Sequence, residues 1–314
     1  MIQIDWRNKQ ALLLLVVFLL VAFYNLFAQT PKTNHTMDSP NIKRAFWLKL
    51  NKDSNHEEII KRIKHSHISY VYLYVPLFKQ IPLERHLRFI RQVQMKCPGT
   101  GIYPWIGRVV QSPWVFESKH FSNRLIEFVN THNLPGLHLD VEPPFGSLGF
   151  KYLPQYVYFL QDLKKELIKD GKRVSIALFP AMVKDFYEKS PAKKADLAIL
   201  ADAVDQFVLM MYDTGLTDKA EFLHHMVSHI AFFNGLTENK TNKEIIIGAA
   251  SYPWHANKKY RWMHDPGVEN IETTIGLLKK YLKDNKKKIS IDGYALFRYG
   301  TTDSSEWEQF LKRR

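Results

Sequence analysis

His138, Asp140 and Glu142 are the side chains whose types and spacing point to chemistry, because they alternate with Leu137, Leu139 and Val141 in the run Leu134–Pro144. In an extended strand successive side chains face opposite ways, so an imidazole and two carboxylates share one wall and the aliphatic residues share the other. Burying such a row is costly unless every member is paired, so it is expected to end in a cleft. Three uses suit it: handling protons, holding a divalent cation, or forming a satisfied polar network that plugs the interior. The elements that position this strand decide among them.

Apolar, aromatic-rich runs alternate with charged helical segments from Arg44 onward. The strands are expected at Ala45–Leu50, Ile68–Leu77, Thr100–Gly107, Gly136–Glu142, Arg173–Phe179, Val204–Tyr212, Glu244–Ala250 and Gly293–Tyr299. Helices are expected at Asn55–His65, Leu83–Lys96, Phe121–Asn130, Gln155–Lys169, Lys193–Ala201, Lys219–Phe233, Glu269–Leu282 and Ser305–Leu311. An eightfold alternation with no GxGxxG or GxxxxGK[ST] loop predicts a single α/β domain, a (β/α)8 TIM barrel, over 44–314. In that fold the active site lies at the carboxyl ends of the strands. Those ends carry Trp47, Tyr74, Trp105 with Arg108, the row His138, Asp140 and Glu142, Tyr212 with Asp213, Tyr252 with Trp254, and Phe297 with Arg298. Aromatic rings around a polar floor suit sugars, whose C–H faces stack on rings while their hydroxyls pair with carboxylates.

Composition excludes several alternatives. The excess of 44 Lys and Arg over 31 Asp and Glu gives +13, yet no base-reading motif accompanies it and no nucleic-acid partner is expected. Much of the excess, such as Lys279, Lys280, Lys283, Lys286, Lys287 and Lys288, falls on a helical face that reads as solvated. One cysteine, Cys97, can form neither an internal disulfide nor a cysteine metal site, and the histidines lack zinc-signature spacing, so no metal and no cofactor are expected. Residues 11–28 form an uncharged apolar stretch after Arg7 and Lys9. It reads as a membrane anchor with the barrel outside the cytoplasm, periplasmic or extracellular, or alternatively as a cleaved export signal. Segment 1–28 is then the anchor, and 29–43, polar with two prolines, the linker.

The run Gly136-Leu137-His138-Leu139-Asp140-Val141-Glu142 resembles the fourth-strand signature DGxDxDxE of family 18 glycosidases, the chitinase and endo-β-N-acetylglucosaminidase group. Met210-Met211-Tyr212-Asp213 resembles that family's Met-x-Tyr-Asp on the sixth strand. Gly248-Ala249-Ala250-Ser251-Tyr252 resembles its seventh-strand Gly-x-x-x-Tyr. Phe297 stands where a floor tryptophan is usual, and Pro135 and His138 stand where the family carries its first and middle Asp. The resemblance implies that Glu142 is the general acid, that Asp140 orients the substrate's acetamido group, and that Tyr212 binds the same group. The negative charge of Asp140, two residues away and roughly 6 to 7 Å along the strand, is expected to raise the pKa of Glu142. His138 is expected either to bond Asp140 and hold it ionised or to mark the loss of the acetamido-assisted route. A glycan without an N-acetyl group would require a second carboxylate, for which Asp213, at the end of another strand, is the first candidate. The leading reading is a hydrolase of an amino-sugar polysaccharide, and the second a catalytically silent glycan-binding barrel; both take a glycan as partner.

Overall fold

Periodicity of two in the apolar runs and of 3.6 between them produces, among the described residues, eight strands alternating with eight α-helices. The computed structural model describes residues 42–77, 83–109, 116, 118–142, 152–179, 194–253, 258–285 and 289–312. Every structural statement below concerns those residues, all of which belong to the unit His35–Arg314. The order is β1 (Lys43–Leu48), α1 (His56–His65), β2 (Tyr70–Tyr74), α2 (Glu84–Lys96), β3 (Gly101–Val109), α3 (Lys119–Thr131), β4 (Gly136–Glu142) and α4 (Leu153–Leu167). It continues with β5 (Arg173–Leu178), α5 (Lys194–Ala203), β6 (Gln206–Met210), α6 (Lys219–Thr237), β7 (Glu244–Ala250), α7 (Ile271–Asp284), β8 (Gly293–Phe297) and α8 (Ser304–Lys312). The strands pair in sequence, all parallel, and β8 pairs back to β1, closing the barrel.

Helix boundaries follow local chemistry. Asn55 caps α1 by accepting from the backbone N–H groups of Glu57 and Glu58, and Asp218 and Asn270 do the same for α6 and α7. Acidic residues open α1 and basic residues close it, matching the helix dipole. Each helix lays its apolar stripe, such as Ile59, Ile60 and Ile63 of α1, on the outside of the barrel.

Alternation along the strands separates two cores. Leu137, Leu139 and Val141 of β4 join the outer layer between sheet and helices, with residues such as Val174, Ile176, Phe207 and Ile247. The inner layer fills the barrel with Trp47, Tyr72, Tyr103, Trp105, Val208, Met210, Tyr212 and Ile246. Two motif glycines are required by close approach. A Cβ on Gly136 would lie 2.1 Å from the carbonyl oxygen of Arg173, and one on Gly248 would lie 3.2 Å from both the Leu209 carbonyl and the Trp47 ring.

The expected strand over Val204–Tyr212 stops at Met210, because Asp213 takes a left-handed φ of 55° that turns the chain out of the sheet. No described helix is long and apolar enough to cross a membrane. The expected anchor 11–28 and most of the linker lie outside the described residues.

Candidate functional site

Register places the β4 row inside the barrel. His138 lies beside Trp105 of β3 and Ser175 of β5, Asp140 beside Gly107 and Ala177, and Glu142 beside Val109. Gly107 and Ala177 add nothing larger than a methyl group next to Asp140, and the Trp105 indole fills the space over Gly107, its Nε1 3.3 Å from where a Cβ would stand. Burial decreases outward along the strand: His138 is wholly enclosed, Asp140 is 8% exposed, and Glu142 keeps partial access to solvent.

The Trp105 indole N–H donates to Oδ2 of Asp140 at 2.8 Å. Oδ1 of Asp140 and the hydroxyl of Tyr212 are both buried with no hydrogen-bond partner among the described residues. Leaving such atoms unpaired costs free energy, and polar groups kept in that state at a strand end fit a polar ligand. Burial pushes the Asp140 carboxyl up to about 6, against the opposing pull of the Trp105 hydrogen bond. Glu142 is raised well above the ordinary carboxylate range, first by burial, then by the negative charges of Asp140 and Asp213. The expected push from Asp140 is therefore present, but burial is the larger cause. Near neutral pH the pair retains a proton on the Glu142 side, a donor beside an acceptor.

Phe297 is the hub of the aromatic wall. Its ring stacks on Tyr212 at 5.3 Å and meets Trp47, Tyr252 and Trp105 edge-on at 5.5, 5.9 and 6.2 Å. Tyr74 packs edge-on against Trp105 at 5.5 Å. These rings converge on Phe297 and Trp105. Arg298 is half-buried, and its carbonyl accepts from the Thr302 hydroxyl at 2.9 Å. Arg108 pairs with Val141 through the sheet backbone; its side chain and all of Trp254 lie outside the described residues.

His138 does not bond Asp140. The Trp47 indole donates to its Nε2 at 3.0 Å, so Nδ1 carries the hydrogen and donates to the Ser175 hydroxyl at 2.8 Å. The ring lies 3.9 Å over Tyr72, nearly parallel. Ser175 and Tyr72 each donate to Oε1 of Gln206 at 2.7 Å, and the Gln206 amide donates to Glu244 at 2.7 Å. Every hydrogen bond in this chain points toward one anion. Burial drives the His138 pKa well below its ordinary value, so the ring is neutral. With the Nε2 lone pair engaged by Trp47, the row His138, Asp140 and Glu142 does not make a cation site. Expected as a substrate contact, His138 is instead enclosed by protein at 0% exposure.

Two residues not anticipated from the sequence adjoin the site. Glu269 accepts from the backbone N–H of Asp213 at 2.6 Å, the backbone N–H of Thr214 at 2.8 Å, and the Thr214 hydroxyl. His264 presents Nδ1 to Glu269 at 3.0 Å and to Asp213 at 3.4 Å, while its Nε2–H donates to the Tyr252 carbonyl at 3.0 Å. Ligand atoms of Asp213, His264 and Glu269 lie within 4.8 Å of one another, close enough for a cation. Both Glu269 oxygens and Nε2 of His264 are already committed to neighbouring groups, so the grouping reads as a hydrogen-bonded brace.

A glycosidase family accounts for this combination of closed parallel barrel, β4 carboxylate row and aromatic mouth, since the chain matches the profile of glycosyl hydrolases family 18 over residues 19–310. The chain belongs to that family. Among solved structures, this family 18 chain is similar to a family 18 chitinase from Pseudoalteromonas aurantia, with 15% identity and a TM-score of 0.57 over 84% of this chain and 97% of the other. A chitinase from Chromobacterium violaceum shares 14% identity at a TM-score of 0.55, over 87% of this chain and 98% of its own. The spore cortex-lytic enzyme SleL of Bacillus megaterium shares 15% at 0.55, covering 87% and 75%. Identities this low establish the shared fold alone. No curated protein matches the chain by sequence.

Proposed function

We propose that this family 18 chain hydrolyses an amino-sugar polysaccharide bearing N-acetyl groups, with Glu142 as the general acid. The observation carrying this reading is the proton-retaining Glu142 beside two buried polar atoms that lack partners, Oδ1 of Asp140 and the Tyr212 hydroxyl. In the proposed reaction Glu142 gives its proton to the glycosidic oxygen as that bond breaks. The carbonyl oxygen of the substrate's own acetamido group attacks the anomeric carbon from the opposite side, taking the place of a protein nucleophile. Asp140, ionised above about pH 6, accepts from the acetamido N–H, and Tyr212 donates to its carbonyl. Water then opens the cyclic intermediate and returns a proton to Glu142. Phe297, Tyr252 and Trp105 form the apolar wall for the sugar rings.

The decisive test incubates the soluble body after the linker with chitin, peptidoglycan and their deacetylated forms and measures new reducing ends. Cleavage of acetylated substrates only, abolished in Glu142→Gln with an unchanged circular dichroism spectrum, is the expected result. Binding without cleavage would favour the glycan-binding reading instead. We further propose that residues 11–28 anchor the chain with the barrel outside the cytoplasm, as the uncharged run after Arg7 and Lys9 suggests. Protease added to intact cells should digest the barrel, and its protection would reject this placement.

A further inference from the structure

We propose that Glu269 and His264 are positioning residues: a brace across the ends of β6 and β7 that holds Asp213, Tyr212 and Tyr252 against the acid Glu142. This rests on the proposed role of Glu142 and adds residues that no motif of the chain contains.

Geometry carries the argument. Both side chains are wholly buried. Glu269 lies directly before Asn270, the cap of α7, where the helix dipole favours an anion. From there it takes the backbone N–H groups of both Asp213 and Thr214. Those two bonds secure the left-handed turn at Asp213, a conformation that a non-glycine residue holds only at a cost. His264 closes the other half. One ring nitrogen faces Glu269 and Asp213 and the other donates to the Tyr252 carbonyl, while the ring lies 4.5 Å from the Tyr252 ring. The side chains fastened by the brace are those that surround the acid. Tyr212 and Tyr252 pack at 6.1 Å; the charges of Asp140 from β4 and Asp213 from the end of β6 act on Glu142, and the charge of Glu142 in turn acts on Tyr212 and Tyr252. Neither Glu269 nor His264 is among the groups acting directly on Glu142. Their influence on the acid runs through Asp213.

Breaking the brace should let Asp213 leave its place, removing a negative charge from the neighbourhood of Glu142 and lowering the pH at which the acid ionises. The experiment compares Glu269→Gln, Asp213→Asn and the double variant in the full-length chain, with Glu269→Asp as the conservative control. The Glu142 carboxyl is titrated by carbon NMR, its signal assigned by its loss in Glu142→Gln, alongside kcat and KM as functions of pH. Glu269→Gln should move the Glu142 titration to lower pH in the same direction as Asp213→Asn. The double variant should move it no further, and Glu269→Asp should restore part of it. On a cleaved substrate kcat should fall at least tenfold with a smaller change in KM. An unmoved Glu142 titration in folded Glu269→Gln, or additive shifts in the double variant, would overturn the brace. The titration needs no turnover, so absence of hydrolysis in the wild type would reject the proposed reaction and leave this test standing.

Discussion

Asp140 and Glu142 differ by two residues on one strand, yet their surroundings give them different tasks. Burial raises the Asp140 carboxyl only to about 6 because the Trp105 hydrogen bond pulls the other way, whereas burial and two neighbouring negative charges together keep the proton on Glu142. Removing the Asp140 charge must make Glu142 easier to ionise, so Asp140→Asn should move the alkaline limb of the pH–rate profile to lower pH; a limb that stays in place would reject the coupling. Stability follows the same logic with its own sign. Both folded-state values are raised, so the folded protein binds protons more tightly than the unfolded chain, and stability falls as pH rises from the unfolded values of 3.8 and 4.5 through the folded ones. Glu142→Gln should therefore melt near the wild-type temperature in acid and several degrees above it at neutral pH. His138 obeys a different constraint. Trp47→Phe would strip the partner from its Nε2, costing about 1–3 kcal/mol in urea unfolding for the unpaired nitrogen.

At the scale of elements, strand identity and facing were readable because one face of each strand is aliphatic. The sorting of Leu137, Leu139 and Val141 from His138, Asp140 and Glu142 is the sorting between the outer and inner cores. The destination of a polar side chain was not readable, since alternation names a face and not a partner. The row that looked uniform divides at Asp140: Trp47 and Ser175 reach His138 from β1 and β5, and the site begins one step further out. Glu269 was read as the start of a helix, which is where it sits, but its carboxylate serves the turn after β6, more than fifty residues away. On β7, Gly248 provides the space in which Trp47 and Tyr212 meet, at 3.2 and 3.4 Å from the position of an added Cβ. Gly248→Ala should cost about 1–3 kcal/mol through overpacking and depress kcat by displacing Tyr212, readable as a lower melting temperature together with lost turnover.

Across the whole molecule, the floor of the barrel is organised by one anion. Glu244 from β7 gathers Lys43 from β1, the Tyr70 hydroxyl at 3.0 Å from β2, Arg173 at 3.0 Å from β5 and the Gln206 amide at 2.7 Å from β6. Burial opposes the Glu244 charge, but Arg173 and Lys43 outweigh it and hold its pKa below the ordinary value. A depressed folded-state value means stability present above the unfolded pKa and lost as pH falls through the folded one. Glu244→Gln should cost on the order of 3 kcal/mol at neutral pH and less in acid, measured by denaturant unfolding at both, because it leaves two partly buried cations without their partner.

The amino-acid sequence by itself determined the eightfold alternation, the inward and outward faces of each strand, and the motif carboxylates at strand ends, because these depend on local periodicity and on residue type. Tertiary structure alone decided which polar groups meet. Closing the sheet brought β1, β4 and β5 together at His138 and assigned that histidine to the floor. The same closure placed Trp105, Tyr212 and Asp213 around the two carboxylates, where burial and charge set which one keeps the proton. A strand's pattern fixes where its side chains point; the environment that sets their protonation comes from residues distant in the chain, and only the closed barrel assembles it.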